Sequence, residues 1–143
     1  MPTNASDAIL PGVTRFLERL ARTDNLVALY TGDSPRIVCS IMEASGLGRY
    51  FAFFVAGTEA HNRAGLVRKV LDKARQRTGK RFEGRDIVII GDSVRDVAVG
   101  KEFNALTIAV TTGLHSWEEL AKYQPDYLLE SMEDTNSILK AIG

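Results

Sequence analysis

Asp92 and Asp96 stand four residues apart in Gly91-Asp92-Ser93-Val94-Arg95-Asp96, directly after an apolar run. Two carboxylates one helical turn apart at a strand end suit a hard cation such as Mg2+, which takes oxygen ligands and keeps several waters. The plainer reading of the same residues is a helix start, with Asp92 as N-cap and Asp96 as an acid matched to the helix dipole. Thr31 and Gly32 open a second stretch, Thr31-Gly32-Asp33-Ser34, which also follows an apolar run. A hydroxyl and backbone N–H groups ahead of a helix form a seat for an anion such as phosphate. Here the plainer reading is a strand-to-helix turn capped by Ser34. A third polar stretch, Thr111-Thr112-Gly113, has the same setting.

Strands and helices must hold these stretches in place. Val13, Phe16, Leu17 and Leu20 form one helical stripe after Pro11. Residues 26–31 read as a strand buried on both faces. Ser34 and Pro35 open a helix that runs to about Leu47, and residues 51–56 form an aromatic strand. A long helix is expected over 62–78, a strand over 86–90 and a helix over 94–103, with Asn104 suited to a left-handed position after it. Residues 106–110 and 127–129 read as strands. Ser116 and Glu119 make a capping box between them, and 132–142 read as a last helix. Strands alternating with helices imply a three-layer α/β/α Rossmann-like sandwich with a mainly parallel sheet. Ligands bind such sheets at the carboxyl ends of the strands, where all three polar stretches are expected to fall on one edge. Residues 1–8 read as a flexible lead-in and 9–143 as a single domain.

The chain is 143 residues long, 45% apolar and 25% charged, close to a soluble globular average. That excludes a disordered chain, a collagen and a disulfide scaffold. Eighteen basic residues balance eighteen acidic ones, which argues against a nucleic-acid coat. Residues 63–85 hold half of the Lys and Arg, and read as a solvated helix face, with no aromatic interleaved before Phe82 to stack on bases. Neither a nucleic-acid nor a membrane partner is expected, since no apolar run is long enough to cross a bilayer. Cys39 is the sole cysteine, so a reducing, cytoplasmic setting is expected.

With these stretches in view, the chain resembles the haloacid dehalogenase superfamily of phosphohydrolases, in particular its phosphoglycolate-phosphatase-like members. Leu26-Val-Ala-Leu-Tyr-Thr-Gly-Asp33 is similar to the family's second motif, and Ile87-Val-Ile-Ile-Gly-Asp-Ser-Val-Arg-Asp96 to its fourth. Ile9-Leu-Pro-Gly-Val13 resembles the return from cap to core. The resemblance runs from about Ile9 to the C-terminus. It implies that Thr31 binds a phosphate by its hydroxyl and Gly32 by its N–H. It implies that Asp92 holds Mg2+ and that Asp96 supports the metal or its waters. Arg63 matches the cation of the third motif, and its guanidinium would neutralise phosphate charge. The plainer reading of Arg63 is one more surface cation at a helix start. Asp33 departs from the Asn or small residue usual after Thr-Gly. Its charge would weaken anion binding there, unless it points away as part of the helix cap.

The family's first motif, Asp-x-Asp, occurs nowhere in these 143 residues. Its first Asp is the nucleophile and its second the general acid/base. The chain is therefore expected to be a core lacking its first strand and cap, with an incomplete active site and little hydrolysis of its own. The alternative is a non-catalytic domain that binds a partner or a small phosphorylated ligand. A receiver-like signalling domain shares the architecture but needs an acidic pair that this sequence lacks. In the resembled fold the missing strand separates the strand ending at Thr31 from the one ending at Gly91. The expected response is direct pairing of 26–31 with 86–90 together with dimerisation; the alternatives are a gap filled by residues 1–8, poor strand formers, or cover by a complementing chain. His61 and His115 have no assignable role, and Trp117 is expected to anchor its short helix from surface to core.

Overall fold

A computed structural model describes residues 13–23, 25–57, 62–111, 115–130 and 135–142. The lead-in 1–8, Thr112, Gly113 and His61 lie outside these. The elements follow in order as α1 (Val13–Leu20), β1 (Ala28–Tyr30), α2 (Pro35–Ser45), β2 (Phe53–Val55), α3 (Arg63–Thr78), β3 (Val88–Gly91), α4 (Val94–Glu102), β4 (Leu106–Val110), α5 (Trp117–Lys122), β5 (Tyr127–Leu129) and α6 (Thr135–Ile142). Short 3-10 turns at Leu47–Tyr50 and Gly84–Asp86 lead into β2 and β3. No helix among the described residues is long and apolar enough to cross a membrane.

The architecture is α/β and Rossmann-like, with every described strand pairing parallel. The chain divides into two compact units, one up to Arg81 and one from Phe82 onward. In the first, β1 pairs with β2 so that Tyr30 stands opposite Val55. Its core takes Phe16, Leu17 and Leu20 of α1, the stripe read from the sequence, with Val38, Val55, Leu66 and Val67. In the second unit the strand order is β3-β4-β5, with Gly91 opposite Ala109 and Val110 opposite Leu129. Each parallel pair is joined by a helix (α2, α4 and α5), as parallel strands require.

β1 belongs to a two-stranded sheet and β3 to a three-stranded one. Two local expectations are corrected. The run 26–31 was expected to be buried on both faces, but all three residues of β1 are only half-buried, whereas all five of β4 are buried. Trp117 is 43% exposed. Leu120, fully buried, anchors α5 instead, because it lies one turn along on the face turned to Val97 and Ala109.

Candidate functional site

Thr31 continues the β1 ladder, its N–H donating to the Val55 carbonyl at 3.0 Å. Gly32 and Asp33 follow at the carboxyl end of β1, both exposed. The Asp33 N–H donates to the Thr31 hydroxyl oxygen at 3.2 Å, and that hydroxyl donates back to the Asp33 carboxylate at 3.3 Å. Asp33 thus faces Thr31 and takes no part in the cap. Ser34 caps α2, its hydroxyl accepting from the Ile37 N–H at 3.4 Å, and Pro35 takes the first helical position. A Cβ placed on Gly32 meets no atom within 4 Å, and its φ is not in the left-handed region. Neither strain nor packing therefore accounts for glycine there.

Gly57, just past β2, is a part of this turn that the sequence reading missed. Its N–H donates to the Asp33 carbonyl at 2.8 Å, and a Cβ there would collide with the Gly32 carbonyl. The signal available was a glycine directly after a strand, where one backbone approaches another. Arg63, half-buried, is the first residue of α3, which packs against β1 and β2. Asn62 caps that helix, accepting from the Gly65 N–H at 2.8 Å. Thr31, Gly32 and Arg63 all belong to the first unit. A hollow of about 170 Å3 in the same unit, lined by Leu29, Met42, Phe51, Phe53 and Phe54 among others, includes none of them.

Asp92 and Asp96 belong to the second unit. β3 ends at Gly91 and α4 begins at Val94, so only Asp92 and Ser93 make the turn. Ser93 is the N-cap: its hydroxyl accepts from the Arg95 N–H at 3.0 Å. That removes the plainer reading of Asp92. The Asp92 carboxylate makes no hydrogen bond or ion pair to another described residue, and it is half-buried. Asp96 is 8% exposed, which does not suit an acid that merely matches a helix dipole from solvent. Its side chain folds back over Gly91, where a Cβ would collide with the carboxyl group. Glycine at 91 is what lets the second carboxylate reach the end of β3.

The two acids are hard oxygen donors, Asp92 on the turn and Asp96 in the first turn of α4, and they fit Mg2+, which is commonly bound by one or two carboxylates plus waters and phosphate oxygens. Among the described residues no three His, Cys, Asp or Glu side chains gather into a larger metal set. Thr111 directly follows β4 at the carboxyl edge of this sheet, its N–H donating to the Leu129 carbonyl at 3.0 Å. Beyond it, Ser116 and Glu119 form the expected capping box, with bonds of 3.1 and 3.2 Å. The Ser116 N–H and hydroxyl hold the Glu119 carboxyl below its ordinary value. His115, without an assignable role from its sequence setting, accepts the Val94 N–H through Nδ1 at 3.3 Å.

A family described as HAD-hydrolase-like matches residues 63–135, about half of the chain. The chain belongs to the HAD-hydrolase-like family. The matched span includes Arg63, Asp92 and Asp96 and leaves Thr31 and Gly32 outside. The phosphoglycolate phosphatase of Synechococcus elongatus is 25% identical over 126 residues, which cover 88% of this chain and 57% of that protein. Phosphoglycolate phosphatase 1 of Pseudomonas aeruginosa is 26% identical over 135 residues, with 92% of this chain and 47% of that one covered. The crystal structure of a predicted phosphatase from Clostridium acetobutylicum matches with a TM-score of 0.79 at 23% identity, covering 91% of this chain and 59% of that chain. The HAD fold expected from the two motifs is thus the fold of the chain. This HAD-hydrolase-like chain spans about half the length of the curated relatives it matches.

Proposed function

We propose that this chain carries a phosphate seat at Thr31, Gly32 and Arg63, and a Mg2+ seat at Asp92 with Asp96 supporting the metal or its waters. The ligand class is a small phosphate ester, as the names of its phosphatase relatives suggest. The observation that carries the reading is the β3–α4 turn. Ser93 takes the capping duty, Asp92 is left without a structural bond among the described residues, and Asp96 is folded over a glycine that admits it. Gly32, with open space where a side chain would stand, supports the phosphate seat. There the Gly32 N–H donates to a phosphate oxygen, the Thr31 hydroxyl turns from Asp33 to the anion, and the Arg63 guanidinium offers a charge-assisted pair. Mg2+, when bound, supplies charge neutralisation for a phosphate.

Hydrolysis through an aspartyl-phosphate needs a carboxylate nucleophile, which the family draws from Asp-x-Asp. These 143 residues contain no such motif. Turnover by this chain alone is therefore expected to be small. A complementing chain bearing that motif, or a second copy that covers the half-buried β1, is the partner this reading calls for. The alternative, a non-catalytic phospho-ligand-binding or partner-binding domain, is favoured by Asp33, whose charge stands at the Thr31 hydroxyl.

Backbone NMR of the labelled chain tests both seats. Inorganic phosphate is expected to shift the amides of Thr31–Asp33, and Mg2+ those of Asp92 and Ser93. R63A is expected to weaken phosphate about tenfold or more, the loss of a charge-assisted hydrogen bond. D92N is expected to abolish the Mg2+ response. Shifts confined to other residues, or none, would overturn the assignment.

A further inference from the structure

The first turn of α4 can be accounted for donor by donor. Arg95 N–H donates to the Ser93 hydroxyl at 3.0 Å, and the N–H groups of Asp96 and Val97 donate to the Ser93 carbonyl at 3.0 and 3.4 Å. The remaining donor is Val94 N–H, the first of the helix. It is taken by His115 Nδ1 at 3.3 Å, from a residue 21 positions later in the loop after β4. Orphan N–H groups at a helix start are usually satisfied by the residue just before it or by water. Here a ring from another loop does it.

We propose that His115 is a positioning residue for the turn that carries Asp92, acting as a neutral imidazole with its proton on Nε2. A ring nitrogen accepts a hydrogen bond only when it carries no proton, so the bond to Val94 fixes the tautomer. The consequence is mechanical. The Asp92–Ser93 turn is held at one end by the Gly91 to Ala109 ladder and at the other by His115. His115 and the turn after β3 are thereby tied together. The bearing of this tie on a cation rests on the Mg2+ reading above. The tie itself does not.

The test uses the whole labelled chain and no ligand. Long-range 1H–15N correlation of the imidazole at alkaline pH is expected to show the Nε2–H tautomer of His115. Hydrogen exchange of the Val94 amide then compares the wild type with H115F, H115Q and H115N. Asn places an amide group where Nδ1 stands, and Gln places it where Nε2 stands. Val94 is expected to exchange about tenfold faster in H115F and H115Q, the loss of one hydrogen bond, and within about twofold of the wild type in H115N. An Nδ1–H tautomer, equal exchange in all variants, or an H115N no better protected than H115F overturns the proposal. If H115F does not fold, the wild-type tautomer still decides. A chain that shows the tautomer and the rescue but binds no Mg2+ would sink the cation reading and leave this one standing.

Discussion

The Thr31 hydroxyl is spent inside its own turn, donating to one Asp33 group and accepting from another. An anion arriving there must displace a carboxylate of its own sign. D33N removes that charge and keeps the shape, so it is expected to bind inorganic phosphate about fivefold more tightly, the scale of a like-charge repulsion at close range in water. Weaker binding in D33N would contradict a phosphate at Thr31. Gly91 makes the second prediction at this scale. Any side chain there pushes Asp96 off the end of β3, so G91A is expected to lose about 1–3 kcal/mol, the usual cost of overpacking. A lower urea midpoint with an unchanged slope checks it. These residues also show where a sequence stops being readable. Asp92 and Ser93 are equally competent N-caps by type, and only the point where the β3 ladder ends gives the duty to Ser93. The Gly-Asp-Ser-x-x-Asp spacing exposed both acids, but the reason for its glycine appears only once Asp96 is seen lying over it. His115 had no local signal at all, since its partner lies 21 residues away.

Among the elements, β4 and β5 are pinned at their amino ends by Asp126. Its carboxylate accepts from the Thr107 N–H at 2.8 Å and from the Thr107 hydroxyl at 3.1 Å, and pairs with Arg85 at 3.1 Å. Thr107 is 1% exposed, and its hydroxyl oxygen accepts the Asp126 N–H in return at 3.0 Å. Burial pushes the Asp126 carboxyl up, but the bonds from Thr107 and Arg85 together outweigh it and leave its value below the ordinary 3.8. A carboxyl lowered by folding stabilises the fold above its unfolded value, and that contribution is lost as pH falls through the lowered one. D126N is therefore expected to lower Tm at neutral pH and to flatten the fall of Tm in acid below about pH 4. Parallel Tm-against-pH curves for the two proteins would contradict this. Arg85 is the lesser partner, its side chain being 64% exposed to screening solvent. At this scale the sequence was largely legible. The strands 106–110 and 127–129, the Ser116 box and the left-handed Asn104 (φ 57°) stand as the patterns indicate. Burial was less so. β1 and β4 read alike as apolar runs, yet β1 is half-buried, because burial depends on which elements cover a strand.

Across the whole molecule, composition and motif order were enough to indicate the fold, since alternating strands and helices admit few right-handed arrangements. What the chain does with that fold was not legible in the same way. Family membership covers residues 63–135, and the relatives are about twice as long as their match to this chain. Thr31, Gly32 and Arg63, proposed for phosphate, belong to the unit up to Arg81, and Asp92 and Asp96, proposed for Mg2+, to the unit from Phe82 onward. The Asp-x-Asp pair that would complete the chemistry is absent from the 143 residues. On the proposed reading the chain holds phosphate and Mg2+ but carries no nucleophile of its own. Hydrolysis of p-nitrophenyl phosphate by the purified chain, with and without Mg2+ and beside D92A, tests it most directly. No turnover above that of D92A is expected under either condition. Mg2+-dependent turnover that D92A loses would contradict it, and would mean that a carboxylate within this chain serves as the nucleophile.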